Sequence, residues 1–178
     1  MKEVKIHDKN FEIFINANEI DKIIFQIADD INNSGIKNPL FIAILNGSFL
    51  FAADLIRKIS IPNSEISFLK LSSYSGIKST GKVDELIGLS NSISGRDIIV
   101  LEDIVDTGIT LEKIILLLDK EKVNSIKIAT LLFKPNAYQK EYQIDYVGKS
   151  IENDFVVGYG LDYDEKGRNL KNIYKLKN

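Results

Sequence analysis

The 178-residue sequence contains no cysteine and a single histidine, His7. The first absence excludes disulfides and cysteine-based zinc or redox chemistry. The second argues against a multi-histidine metal site or a histidine-dependent triad. Acid–base chemistry is therefore left to carboxylates, lysine and tyrosine. The basic excess that marks most nucleic-acid binders is also missing, since the net charge is −2. No apolar run approaches the roughly 20 residues needed to cross a bilayer. The N-terminal stretch alternates charge and lacks the apolar segment of a secretory signal. These absences lead to the expectation of a cytoplasmic protein whose partners are neither nucleic acid nor membrane. What is present is a hydrophobic share of 44%, enough for an ordinary core, in a length that fits one domain better than two.

Apolar residues alternate at Val4, Ile6, Phe11, Ile13 and Ile15, which reads as a hairpin or two edge strands. Asn16 followed by Glu19 resembles a capping box. Ile20, Ile23, Ile24, Ile27 and Ile31 then repeat at helical spacing, and "NNSG" (32–35) ends the helix. Beyond it, unbroken apolar runs alternate with helical stretches. "LFIAIL" (40–45) reads as strand, "SFLFAADLIRKI" (48–59) as helix and "SFLKLSSY" (67–74) as strand. "DIIVL" (97–101) is a strand, "TLEKIILLLDKE" (110–121) a helix and "SIKIATLLF" (125–133) a strand, and "IDYVGKSI" (144–151) and "DFVVGYGL" (154–161) read as two more. The stretch 75–85, rich in Gly, Ser, Thr and Lys, reads as a mobile loop, and the tail as polar and basic. Continuous apolar strands separated by helices point to an α/β fold with a parallel sheet covered on both faces. Right-handed crossovers put the C-terminal strand ends on one rim, where ligands bind.

One strand reaches that rim with unusual chemistry. "IIVLEDIVDTGIT" (98–110) runs from a buried strand through Glu102, Asp103 and Asp106 into Thr107-Gly108-Ile109-Thr110 and a helix. Backbone N–H groups of those last four residues lie at a helix N-terminus, where an anion is favoured. Gly108 permits close approach, and the threonines add hydroxyl donors. No Walker loop is present. Carboxylates beside a phosphate need other work. Glu102 and Asp103 could hold sugar hydroxyls or a hydrated magnesium ion, and Asp106 could be an acid–base group. The string reads as a site for a phosphorylated sugar plus metal; the plainer reading is an acidic turn that caps a helix.

"VLEDIVDTGIT" resembles the phosphoribosyl-pyrophosphate motif of the type I phosphoribosyltransferases. Further stretches resemble the hypoxanthine-guanine branch of that family. These are "LNGSFLFAADLIR" (45–57) for the pyrophosphate loop and helix, "LSSYSG" (71–76) for the start of the lid, "LLFKP" (131–135) for the lysine-bearing purine strand, and "DFVVGYGLDYDEKGRNL" (154–170) for the C-terminal segment. The resemblance implies a magnesium-dependent reaction in which a free 6-oxopurine attacks C1 of an activated ribose, pyrophosphate leaves, and IMP or GMP forms. It implies that Glu102 and Asp103 hold ribose hydroxyls and magnesium, that Asp106 accepts a proton near purine N7, and that the loop through Thr107, Gly108, Ile109 and Thr110 holds the phosphoribosyl group. Lys134, with donors only, would read the 6-oxo group. Phe155 would stack on the purine, and the Val156 backbone would reach its pyrimidine edge. Asp162 would bind a second magnesium or the base edge. Asn46, Gly47 and Arg168 would hold pyrophosphate, and Ser73 and Tyr74 would ride on the closing lid.

Two positions depart from the pattern. Phe133 replaces an acidic residue often found before the lysine. Asn46 stands where many relatives carry lysine, at a point where the family's loop holds a cis peptide, and the lost charge lowers the expected grip on pyrophosphate. The expected architecture is one domain over 1–178, with a parallel sheet of about five strands and a small hood built from about 1–15 and 150–178. A homodimer or homotetramer is expected from the resemblance. Two rivals differ in kind. A receiver domain also uses acids, a threonine and a Lys-Pro pair, but it separates its acidic pair from the phosphorylated aspartate by a whole βα unit. A non-catalytic regulator on the same fold, binding nucleotide or phosphoribosyl pyrophosphate as a sensor, would need a basic stripe to engage nucleic acid. Within the enzymes, an adenine-specific member should lack Lys134 in this setting, and an orotate-specific one should carry a basic lid.

Overall fold

The computed structural model describes residues 2–71, 85–87 and 92–177. The early alternation becomes a hairpin: β1 (Glu3–Ile6) and β2 (Lys9–Ile15) pair antiparallel around a turn in which His7 adopts φ 52°. Helix α1 (Ala17–Asn32) starts where Asn16 Oδ1 accepts the Glu19 N–H at 3.1 Å. The Glu19 carboxylate does not close a capping box, because it binds Lys149 Nζ at 2.9 Å instead. The isoleucine stripe of α1 is buried at Ile20, Ile24, Ile27 and Ile31.

The remaining elements are β3 (Leu40–Ile44), α2 (Phe49–Ile56), β4 (Glu65–Leu71), β5 (Glu85–Ile87), β6 (Asp97–Val105), α3 (Ile109–Lys120), β7 (Ser125–Phe133), β8 (Tyr146–Ser150), β9 (Val156–Val157) and β10 (Ile173–Leu176). The large sheet has the order β5-β4-β3-β6-β7-β8. Strands β4, β3, β6, β7 and β8 run parallel, as expected, and β5 adds an antiparallel edge. Period-2 alternation sorts the strands' side chains into two cores. Phe41, Ala43, Ile99 and Leu101 pack with α1 and α2, while Leu40, Ile42, Ile98 and Val100 pack with α3. Both faces are thus covered, which is why every residue of β3 is apolar and buried. Truncating a residue such as Ile42, fully buried here, typically costs about 2–5 kcal/mol. A second sheet, antiparallel in the order β1-β2-β10-β9, closes around Phe11, Val157 and Tyr174.

Three sequence expectations change. Strand β6 continues past Leu101 to Val105, so Glu102 and Asp103 lie in the strand and not in the loop. The cause is β7, which keeps pairing (Glu102 with Thr130, Ile104 with Leu132, Val105 with Phe133) after β3 has ended its register at Leu101. The strand read over 154–161 shrinks to Val156–Val157, because Gly158, Tyr159 and Gly160 take left-handed φ values of 100°, 51° and 97°. The tail is partly a strand: β10 pairs with both β2 and β9, burying Ile173 and Tyr174. The lid residues Ser73 and Tyr74 lie outside the described residues, as does the stretch 75–84, and Glu85 opens β5. Among the described residues no helix is long and apolar enough to cross a membrane.

Candidate active site

The rim of the large sheet gathers the predicted residues into three groups. The first is the turn from β6 into α3. Gly108 sits at the helix N-cap with φ 82°, a conformation that favours glycine, and no side chain caps the helix there. The backbone N–H groups of Thr107, Gly108, Ile109 and Thr110 find no acceptor among the described residues. They border a concavity of about 90 Å³ lined by Glu102 and residues 104–111. Unpaired N–H groups at the start of a helix, carrying the positive end of its dipole, make an anion cradle.

The second group is Asp106 and Lys134. The end of β7 delivers Lys134 beside this turn: its N–H donates to the Val105 carbonyl at 3.0 Å, and its Nζ donates to Asp106 Oδ2 at 2.7 Å. The lysine is buried while the aspartate is half-exposed, with side-chain exposures of 10% and 46%. A donor-only cation and a carboxylate are therefore presented together at the edge of the anion cradle.

The third group surrounds Asp103. Strand alternation sends Glu102 toward the 104–111 concavity and Asp103 to the opposite face, against the loop between β3 and α2. The Leu45–Asn46 peptide in that loop is cis. Gly47 faces the Asp103 carboxylate so closely that a Cβ at Gly47 would overlap it. Asp103 Oδ1 accepts the Ile104 N–H at 3.0 Å. Burial pushes the Asp103 carboxyl up to about 6, against the opposing pull of its backbone hydrogen bonds and the Arg168 charge. Burial, and then the neighbouring Asp103 charge, raise Glu102 well above the usual carboxylate range. Two carboxyls this dry are poised to gain from a cation or from hydroxyl donors.

Arg168 was expected to grip pyrophosphate through both nitrogens of its fork. In the structure Nη1 donates to the Gly160 carbonyl at 2.9 Å, Nη2 pairs with Asp162 at 2.9 Å and with Glu165 at 3.3 Å, and the buried Nε has no partner. Asp162 is likewise engaged, its Oδ2 accepting the Glu165 N–H at 2.8 Å. The two charged groups thus engage each other in the ligand-free protein. Phe155 is 43% exposed. Its ring meets Tyr163 edge-on at 5.7 Å and Phe11 at 6.1 Å. Val156 lies beside it in β9, paired with Lys175. Sequence reading missed Gly160, where a Cβ would overlap the Gly47 carbonyl, and Tyr163. The repeated glycines of "VVGYGL" are a visible signal for the first, whereas nothing in the sequence marks Tyr163.

Fold and site together define an α/β protein with an anion cradle at the C-terminal rim of a parallel sheet, and with carboxylates and a lysine beside it. Within that class the chain belongs to the phosphoribosyl transferase domain family, whose profile matches residues 12–164. It is 43% identical over 174 residues to the hypoxanthine-guanine phosphoribosyltransferase of Staphylococcus epidermidis, covering 97% of each chain. Among solved structures it resembles a hypoxanthine phosphoribosyltransferase from Staphylococcus aureus, with a TM-score of 0.84 and 41% identity over 93% of this chain and 91% of that one. It also resembles a hypoxanthine-guanine phosphoribosyltransferase from Bacillus anthracis that holds a HEPES molecule in its active site, with a TM-score of 0.85 and 35% identity over 99% of each.

Proposed function

We propose that the protein is a hypoxanthine-guanine phosphoribosyltransferase, a pentosyltransferase of purine salvage. It transfers the 5-phosphoribosyl group from phosphoribosyl pyrophosphate to hypoxanthine or guanine, releasing pyrophosphate and giving IMP or GMP. The observation that carries this reading is the 2.7 Å pair of Lys134 and Asp106 beside the unpaired N–H groups of residues 107–110. The 6-oxo group and N7 are neighbours on one edge of a purine. The lysine supplies a donor for the first, and the aspartate supplies an acceptor for a proton on the second. The loop N–H groups and the hydroxyls of Thr107 and Thr110 take the 5-phosphate. As the purine nitrogen bonds to C1, the bond from C1 to pyrophosphate breaks, and the N7 proton passes to Asp106. Phe155 stacks on the base, and the Val156 backbone meets its pyrimidine edge.

The acids at the rim offer oxygen donors only, and no cluster of three or more metal-binding side chains occurs among the described residues. That suits Mg²⁺, which usually takes one or two carboxylates together with waters and substrate phosphates. Glu102 and Asp103 would hold it while also meeting the ribose hydroxyls, and Asp162 would bind a second Mg²⁺ or the base edge. The metal offsets negative charge on the departing pyrophosphate. Asn46, Gly47 and Arg168 hold that leaving group, and Ser73 and Tyr74 belong to the lid. The antiparallel sheet serves as a hood over the purine in a single domain. The same reading makes the protein a cytoplasmic homodimer or homotetramer acting on small molecules.

The test is a spectrophotometric assay with phosphoribosyl pyrophosphate, Mg²⁺ and each free purine in turn. Nucleotide formation with hypoxanthine or guanine and none with adenine is the expected result. Protein inert toward every nucleobase would overturn the reading.

A further inference from the structure

We propose that Tyr138 is a positioning residue that, with Gln139 and Lys140, clamps the phosphoribosyl loop from behind and ties it to the segment carrying Lys134. The inference rests on the reading of residues 107–110 as the seat of the ribose 5-phosphate.

Residues 136–142 follow the Lys134-Pro135 pair and carry no recognisable signal in the sequence. In the structure they turn back on themselves, the Lys134 carbonyl accepting the N–H groups of Ala137 and Tyr138, each at 3.1 Å. The returning chain then runs along the loop and meets it position by position. Lys134 holds Val105 through its N–H at 3.0 Å and Asp106 through its Nζ at 2.7 Å. The Gln139 N–H donates to the Thr107 carbonyl at 3.2 Å. The Tyr138 ring covers Gly108, where a Cβ would lie 2.5 Å from ring atom Cε2. Lys140 Nζ donates to Glu112 at 2.8 Å, and the Glu112 N–H closes back on the Gly108 carbonyl at 2.9 Å.

The loop needs such a support. Its own N–H groups have no internal acceptors among the described residues, and the helix that follows has no side-chain cap. Nothing inside the loop therefore fixes the direction in which those donors point. Tyr138 is itself well held. Its Oη donates to the Tyr142 carbonyl at 2.8 Å, and its ring packs edge-on against Phe133 at 5.4 Å. Burial raises its phenol above the usual range, so the hydroxyl remains a donor. A ring fixed on both sides and pressed against a glycine backbone can transmit that fixity to the adjacent amides. The same segment carries Lys134, so the phosphate seat and the base-reading lysine are set by one clamp.

The experiment compares Tyr138→Ala and Tyr138→Phe with the unaltered protein in binding and in turnover. Ribose 5-phosphate is the probe for the loop and inorganic pyrophosphate the probe for the other half of the site, both titrated without catalysis. Tyr138→Ala should weaken ribose 5-phosphate binding and raise the KM for phosphoribosyl pyrophosphate on the order of tenfold, since small misplacements of binding groups carry large penalties. Its pyrophosphate affinity should stay within about twofold, which separates positioning from a general loss of structure. Tyr138→Phe keeps the ring and should restore ribose 5-phosphate affinity. If Tyr138→Ala does not fold, Tyr138→Leu, which keeps apolar bulk but not the flat ring, carries the same expectation. Equal losses for both probes, or no loss for ribose 5-phosphate, would overturn the proposal. Because the binding arm needs no turnover, an unaltered protein inactive toward all purines would sink the proposed function while leaving this test readable.

Discussion

Lys134 reaches across from the end of β7 to Asp106, in the turn after β6, and the two form a charged hydrogen bond of 2.7 Å. The residues are 28 positions apart. They meet because β6 and β7 are parallel neighbours whose pairing runs to their last residues, Val105 opposite Phe133. Parallel register therefore places the candidate proton acceptor and the candidate base-reading donor side by side. The pair is formed by backbone topology, and under the proposed function it would be shared with the purine's O6 and N7 edge.

Asp106→Asn should remove the proton acceptor while keeping size and polarity. Turnover should fall by ~10²–10⁴, the usual contribution of a general base. IMP binding, measured by titration calorimetry, should change by no more than about threefold, because the 5-phosphate seat and the stacking face are untouched. Comparable losses in kcat and in IMP affinity would contradict the assignment.

Lys134→Gln exchanges a donor-only group for one that both donates and accepts. The amide can then face adenine's 6-amino group. The ratio of kcat/KM for hypoxanthine over adenine should fall by at least about tenfold, a small part of what a dedicated polar contact can enforce. Asp106 is half-exposed, so water can take over its solvation, and the melting temperature should move little. Competition assays with both bases check this, and an unchanged ratio would assign the 6-position to another residue.

Much of this site was legible in the sequence because its parts are local. A buried strand followed by acids, a glycine and two threonines specifies a strand end, an anion cradle and a helix start within thirteen residues, 98–110. The parallel core was legible for a similar reason, since unbroken apolar runs such as 40–44 can only be covered on both faces. What escaped was set by distant partners. The extension of β6 to Val105 depends on β7, the collapse of the 154–161 strand on left-handed residues at 158–160, and the strand at 173–176 on pairing with β2. None of these has a periodicity of its own. Arg168 and Asp162 were legible as charged residues of the resembling C-terminal segment, but their mutual pairing, which occupies the fork, was not.

Asp103 offers a test through stability. Burial holds its carboxyl above the usual carboxylate range in the folded chain. A raised carboxyl contributes stability that is complete below the unfolded value and is lost as pH rises through the folded one. At neutral pH the ligand-free protein therefore holds an ionised, half-buried carboxylate beside Glu102 at a cost in stability. Asp103→Asn should raise the melting temperature at pH 7.5, and its advantage should shrink as the pH falls from 6 toward 4. The same change should abolish turnover if Asp103 holds the sugar and metal as proposed. Denaturation across that pH range, with activity measured in parallel, checks both. A variant less stable than the parent at pH 7.5 would show that Asp103 is better solvated than its position implies.

Gly160 joins the C-terminal segment to the pyrophosphate loop, and its substitution should damage both. Its φ of 97° belongs to glycine, and a Cβ there would overlap the Gly47 carbonyl. Its N–H donates to the Arg168 carbonyl at 3.0 Å, and its own carbonyl accepts Arg168 Nη1 at 2.9 Å. Gly160→Ala must therefore push the Gly47 backbone away or shift its own segment, which those bonds tie to Arg168. Gly95→Ala is the matched control, since Gly95 also has a positive φ, 71°, but a Cβ there would meet open space. The control should lose about 1 kcal/mol, the strain of a left-handed alanine. Gly160→Ala should lose about 2–4 kcal/mol, since a backbone clash is added to that strain. It should also weaken pyrophosphate as a product inhibitor, because the displaced carbonyl belongs to the loop proposed to hold it, while Gly95→Ala leaves that inhibition unchanged. Urea unfolding and product-inhibition kinetics on the two variants separate the terms. Equal stability losses would show that the Gly47 loop yields without cost, and that the contact between the two segments does not position the leaving group.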